Sequence, residues 1–201
     1  MKFREERLEM DMFTLDNKEK FLELLRKTGR YGIENLIKWL ENTDFFIAPA
    51  STRFHSNYEG GLCQHSLNVY EVFKKKCEDN KAGLDGDNII IAALLHDICK
   101  ANYYVPSTRN AKKNGKWTQV PYYAVEDQNP LGHGEKSCLI LQTFIKLTKE
   151  ELYCIRWHMG GYEPKENLNT ISEAWNMCRP AVLLHTADLE ASYLMEEHRE
   201  G

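Results

Sequence analysis

Asn88-Ile89-Ile90-Ile91-Ala92-Ala93-Leu94-Leu95-His96-Asp97-Ile98-Cys99-Lys100 is the stretch on which the fold turns. Three consecutive isoleucines would suit a strand, but Ala-Ala-Leu-Leu directly after them favours a helix over 88–100. Apolar on every side from Ile89 to Leu95, such a helix belongs inside a core, with Asp87 placed to cap it. This is the longest apolar run in the chain, and a membrane span needs roughly 20 such residues, so no membrane partner is expected. His96 and Asp97 then put titratable groups at the edge of that core.

Working outward, helical spacing recurs on both sides. Asp16 and Glu19 have capping-box spacing ahead of Phe21, Leu22, Leu24 and Leu25, with Gly29 as a stop. Ile33, Leu36, Ile37 and Leu40 form a second stripe, ending near Asn42. A third helix over 61–77 carries Leu62, His65, Val69, Val72 and Phe73 on one side. Downstream, residues 102–130 break the pattern. There Asn114-Gly115 separates Tyr103-Tyr104-Val105 from Trp117-Thr118-Gln119-Val120, a strong hairpin signal. Helical spacing resumes over 135–146. Thr148 and Glu151 repeat the capping box before 152–159, Gly160-Gly161 ends that helix, a short one spans 171–178, and Pro180 opens the last. The expectation is an all-α helical bundle with one small inserted β-hairpin. No repeat or linker divides it. Residues 1–45 read as an N-terminal helical extension packed on a core of residues 46–201.

The bulk composition agrees with a single folded unit. The chain has 201 residues, 42% hydrophobic, 11% aromatic and 28% charged, enough for a core under a charged surface. Its net charge of −4 argues against indiscriminate binding of nucleic acid through bulk charge. Residues 1–12 mix charges with single apolar residues, unlike a signal peptide. Six cysteines, none spaced C-x-x-C, then suggest reduced thiols in a cytoplasm rather than a zinc ribbon. P-loop, dinucleotide and G-x-S-x-G signatures are absent.

The histidines carry the functional signal. His65 shares an apolar stripe, His158 lies beside Ile155 and Met159 at a helix end, and Asp188 falls one turn after Leu184. An ionised Asp on a buried face costs several kcal/mol unless a cation or donor compensates it. A neutral buried His likewise needs partners at both ring nitrogens. A shared metal meets both needs. Singly, each is more simply a hydrogen-bonded core residue, and a His-Asp dipeptide alone is weak.

The order His65, His96-Asp97, Asp188 resembles the HD superfamily of metal-dependent phosphohydrolases, named for that signature. The contexts 60–67 (Gly-Gly-Leu-Cys-Gln-His-Ser-Leu), 93–100 and 183–188 match, and His133 and His158 stand where binuclear members carry further histidines. The likeness covers about 49–194. It is nearest to the HD domain of bacterial 3′–5′ exoribonucleases, which share the Gly-Gly-Leu-x-x-His opening. The resemblance implies a first metal on His65, His96, Asp97 and Asp188, and a second bridged by Asp97 to His133 and His158. Met159 departs from the cyclic-di-nucleotide branch, which has a second consecutive His there, and the Gly-Tyr-Pro signature of that branch is missing.

Mixed imidazole and carboxylate donors favour a divalent transition metal (Mn, Fe, Co, Ni or Zn) over Mg. A closed structural zinc site would not need His133 and His158. A bound metal lowers the pKa of water from about 15.7 to about 7, supplying hydroxide for attack on a phosphate ester. The family associates a Lys at position 100 with the phosphate, which makes Lys100, with Asp97, a catalytic candidate. Without the motif, Lys100 equally suits a helix C-terminus. Arg53, His55, Arg109 and Arg156 are further candidates for substrate contact. His185 either orients Asp188 or is a satisfied core histidine, and His198 sits in a polar tail.

The hairpin interleaves Arg109, Lys112, Lys113 and Lys116 with aromatic residues, the chemistry that grips phosphates and stacks bases, although a solvated turn would look alike. The expected substrate is a small phosphate ester, a nucleotide or short single-stranded oligonucleotide. The rivals are a 3′–5′ exonuclease or cyclic-nucleotide phosphodiesterase, and a non-catalytic nucleotide-binding sensor. No OB-like RNA-binding module is legible.

Overall fold

The computed structural model describes residues 2–113 and 115–196, with side chains from residue 12 onward except at 113. Asn114 of the expected turn and His198 lie outside the described residues. The chain is helical, in the order α1 (Lys2–Lys27), α2 (Ile33–Glu41), α3 (Gly61–Asp79) and α4 (Gly86–Leu95). A two-stranded ribbon, β1 (Tyr104–Lys113) and β2 (Lys116–Val125), is then inserted before α5 (His133–Gln142), α6 (Lys149–Trp157), α7 (Leu168–Met177) and α8 (Arg179–Glu190). This is an all-α fold with one small hairpin.

Residues Ile89 to Leu95 of α4 are all buried, as an apolar run must be when no face can meet water. The helix packs against α3 and α6, while α3 and α6 both pack on α8. Phe21 sits 5.2 Å from Phe45 and 5.5 Å from Phe46, so α1 closes one end of the same core. Arg30 holds this segment to α6. Its guanidinium donates to both oxygens of Glu151, at 2.7 and 3.1 Å, and Glu151 is fully buried. Glu151 also completes the expected capping box, accepting from the Thr148 amide at 2.7 Å.

Two local expectations need correcting. The Asp16–Glu19 spacing does not start a helix, because α1 is already running from Lys2 and passes through both residues. The Glu, Arg, Leu and Met residues upstream are strong helix formers and carry the helix past the box. The helix expected over 88–100 is also not continuous. It stops at Leu95, and Asp97 leaves helical geometry (φ −101°, ψ 17°) before a 3₁₀ turn at Ile98–Lys100. Ser137 of α5 makes the break affordable by donating to the freed carbonyl of His96 at 2.6 Å.

The ribbon is antiparallel, with Lys112 opposite Trp117 and Lys113 opposite Lys116, so Gly115 (φ 80°) belongs to the turn. Among its described residues only Val120 is buried. At the start of α3, Gly60 (φ 81°) and Gly61 are both required: a Cβ on Gly61 would strike the Ser56 carbonyl. This tight approach seats the loop ending at Ser56 against the helix that bears His65.

Candidate metal centre

Five elements deliver the polar cluster. His65 lies in the second turn of α3, His96 and Asp97 at the break after α4, His133 at the start of α5, His158 just past α6, and Asp188 in α8. His65, His96 and His158 are fully buried, and Asp97 is 2% exposed. Because the chain turns at Asp97, its carboxylate faces two groups at once. Oδ2 lies 3.6 Å from His65 Nε2 and 3.5 Å from His96 Nε2. Oδ1 lies 2.7 Å from His133 Nε2 and 3.5 Å from His158 Nε2. Asp188 Oδ1 joins the first group, 3.2 Å from His65 Nε2.

Hydrogen bonds at the back of each ring decide which nitrogen faces the centre. His96 Nδ1 is 2.7 Å from the Ala93 carbonyl and His158 Nδ1 is 2.7 Å from the Ile155 carbonyl. A carbonyl only accepts, so both protons sit on Nδ1 and both Nε2 atoms present lone pairs. His65 Nδ1 donates to Glu196 Oε1 at 2.9 Å in the same way. The two Nε2 atoms of His65 and His96 then stand 3.3 Å apart with two carboxylates beside them. Of these acceptors Lys100 reaches only Asp97 Oδ2, so the two imidazole lone pairs and the Asp188 oxygen converge with no donor between them, and a cation relieves their repulsion. His158 Nε2 is buried without a hydrogen-bond partner and aims at Asp97. The donor set therefore fits a divalent transition metal on the His65–His96–Asp97–Asp188 side, and a further lone pair faces the other side.

The electrostatics agree. Burial opposes an imidazolium at His65, yet Glu196 and Asp188 outweigh it and raise the group to about 10, a demand for positive charge at that point. Burial lowers His96 to about 4, keeping it neutral as a ligand must be. Asp97 and Asp188 stay ionised: burial would raise them, but Lys100 beside Asp97, and His65 beside Asp188, hold both below the usual carboxylate range. Lys100 donates to Asp97 Oδ2 at 2.6 Å and to the Ala50 carbonyl at 2.8 Å. Its neighbours Asp97 and Tyr104 overcome the burial that would otherwise discharge it.

A cleft of about 360 Å³ reaches this cluster, lined by Phe54, His55, Lys100, Met159, Tyr162 and Tyr193 together with Asp97 and Asp188. Met159 thus contributes an apolar wall to the cleft.

Other sequence candidates fall elsewhere. Arg156 pairs with Glu135 and, at 2.8 Å, with Glu163, and its guanidinium covers the Trp157 ring. It lines a separate cleft between α5 and α6, because its place on α6 directs it away from His158. Arg109 is exposed on the ribbon, and Arg53 is exposed beside Phe54. His185 bonds the His158 carbonyl at 2.6 Å and stacks on Trp175, so it supports the backbone of His158 rather than Asp188. Reading the sequence missed Glu196, Phe54, Tyr162 and Tyr193. Tyr162, four residues after His158, carried a usable positional signal; Glu196, in a polar tail, carried none.

The model of the HD domain matches residues 62–192. The chain belongs to the HD-domain family. All six clustered His and Asp residues fall within the matched HD region, whereas His55 and Glu196 lie outside it. The dihydroneopterin 2′,3′-cyclic phosphate phosphodiesterase of Methanocaldococcus jannaschii is 40% identical to this HD protein over 62 residues, 29% of this chain and 25% of that one. The match thus spans a quarter of that relative's length. No solved structure matches significantly. All six cysteines are free and buried, and among the described residues no helix is long and apolar enough to cross a membrane.

Proposed function

We propose that this HD protein is a metal-dependent phosphohydrolase acting on a nucleotide-like phosphate ester. The observation that carries the reading is the convergence of the His65 and His96 Nε2 atoms, 3.3 Å apart, on the carboxylates of Asp97 and Asp188. His65, His96, Asp97 and Asp188 would hold the metal, with His133 and His158 available for a second. A divalent metal there supplies acidified water and a Lewis acid for the phosphoryl oxygen.

The chain's own groups do the rest. Lys100, charged and lining the cleft, neutralises the phosphoryl group as negative charge builds on it. His55 lines the same cleft with Nε2 as its open nitrogen, suited to take a proton from the attacking water and then pass it to the leaving oxygen. Arg53 is available at the surface beside Phe54 for a further phosphate contact. Phe54, Tyr162 and Tyr193 are each more than half exposed around the cleft, which suits them to stack a planar heterocycle. Arg109 and the basic ribbon are the candidate contacts for a longer, single-stranded substrate.

A cyclic phosphodiester is the second reading, favoured by the activity for which the archaeal relative is named. The test is a hydrolysis screen on chelator-treated protein resupplied separately with Mn, Fe, Co, Ni or Zn, reading free phosphate from monoesters and nucleotide products by chromatography from the diesters. Nucleoside monophosphates, 2′,3′- and 3′,5′-cyclic nucleotides and short RNA are the substrates. Metal-dependent product from the first two classes is expected. Trimming of RNA alone would replace the reading with an exonuclease, and tight nucleotide binding without product would replace it with a sensor.

A further inference from the structure

Resting on the metal-centre reading, we propose that Glu196 is a positioning residue, holding His65 for metal binding and His55 at the wall of the cleft. After α8 the chain tightens into a π turn (Ala191–Met195), closed by the Glu196 amide donating to the Ala191 carbonyl at 3.1 Å. That turn brings the carboxylate back into the protein, where its side chain is 1% exposed. Oε2 accepts from His55 Nδ1 at 2.9 Å and Ser56 Oγ at 2.7 Å. Oε1 accepts from His65 Nδ1 at 2.9 Å and Asn68 Nδ2 at 3.1 Å.

Four donors from the loop before α3 and from α3 itself converge on one buried carboxylate. They satisfy its lone pairs, so this group needs no ion of its own. The consequence lies at the far side of each ring. A carboxylate at Nδ1 keeps the proton there, which leaves Nε2 of His65 as a lone pair facing His96 and Asp188. The same bond fixes the ring of His55, 4.8 Å from that of His65, with Nε2 as its nitrogen available to the cleft. One carboxylate therefore sets two imidazoles with different duties, and a single stretch of α8 and its π turn carries both Asp188 and Glu196.

The test is titration calorimetry of Mn²⁺ into the metal-free full chain, for the native protein, E196A, E196Q and H55A, with circular dichroism to verify folding and turnover measured in parallel. E196A is expected to weaken Mn²⁺ binding about 10–100-fold, the range for loss of a ligand's hydrogen-bonded support. In E196Q the amide oxygen is expected to keep facing His65 and Asn68. The amide N–H₂ then faces Ser56, which can turn to accept, and His55, whose tautomer reverses. Its Mn²⁺ affinity should drop less than about tenfold while turnover drops further. A purely structural role would not split the two. H55A should hold Mn²⁺ within about twofold, because it leaves the His65 support intact.

A folded E196A that binds Mn²⁺ as the native chain does would overturn the proposal. So would an H55A loss as large as that of E196A, which would make His55 a ligand. Should E196A not fold, isosteric E196Q decides, and native affinity together with native turnover would refute the assignment. A native protein that binds no metal would instead remove the centre itself, an outcome separable from these ratios.

Discussion

The two sides of Asp97 are built differently. On one side His65 and His96 are sealed from solvent, and each Nδ1 donates to an oxygen, that of Glu196 at 2.9 Å and that of Ala93 at 2.7 Å. On the other, His158 is held as firmly by Ile155, but His133 is 26% exposed and its Nδ1 has the Cys99 thiol at 3.4 Å. A thiol is a weak partner, so nothing at the back of the His133 ring holds a proton on Nδ1. His133 Nε2 is also bonded directly to Asp97 at 2.7 Å and must surrender that proton to act as a ligand. The lesson is that one side is organised in advance for a cation and the other must rearrange. The Asp97 carboxylate links them.

Removing that link should have the largest effect. Asp97→Ala is expected to lose its metal and at least about 10³-fold in hydrolysis, read by elemental analysis and phosphate release. It also strands buried Lys100, which should destabilise the fold by about 3–5 kcal/mol in thermal or urea melts. Native metal content in this variant would dissolve the two-sided picture. Lys100→Ala comes next: metal stays bound while turnover falls about 10²–10³-fold, the range for deleting one charge-stabilising donor.

Paired calorimetry then addresses the asymmetry itself. His65→Ala should weaken the tighter Mn²⁺ site by about 100-fold or more, whereas His133→Ala should change that site by about tenfold at most and remove any weaker one. Equal losses would show that both sides are equally prepared. The smallest effect belongs to Cys99→Ala, expected to shift only the weaker site, and by less than about tenfold. A larger shift would mean that the thiol fixes His133 after all.

Much of this arrangement was legible in advance, for local reasons. The α4 run had no polar face and had to be buried. Thr148 and Glu151 capped α6 because a capping box needs only four consecutive residues, and the ribbon followed from Asn-Gly between β-favouring runs. His65, His96, Asp97 and Asp188 stood out not locally but because their order resembles the HD signature. The same local reasoning failed at Asp16, where upstream helix formers outweighed the box. Arg156, two residues from His158 and so on a different part of the helix, lines the separate cleft between α5 and α6. Glu196 was illegible, since nothing near it in the chain shows that a π turn would return its carboxylate to α3.

Residue chemistry and helical spacing, which depend on neighbours within a turn or two, were enough to fix the fold class, and the resemblance to the HD superfamily nominated the His and Asp cluster. Which imidazole nitrogen faces the centre, the break that turns Asp97 towards both groups, and the burial of Glu196 were settled only by folding. Each depends on a partner from another part of the chain — Ser137 for the break, Glu196 for His65, Lys100 for the charge on Asp97 — or on a backbone carbonyl whose direction only the finished helix sets. Hydrogen bonds act over about 3 Å, so packing in three dimensions decides them.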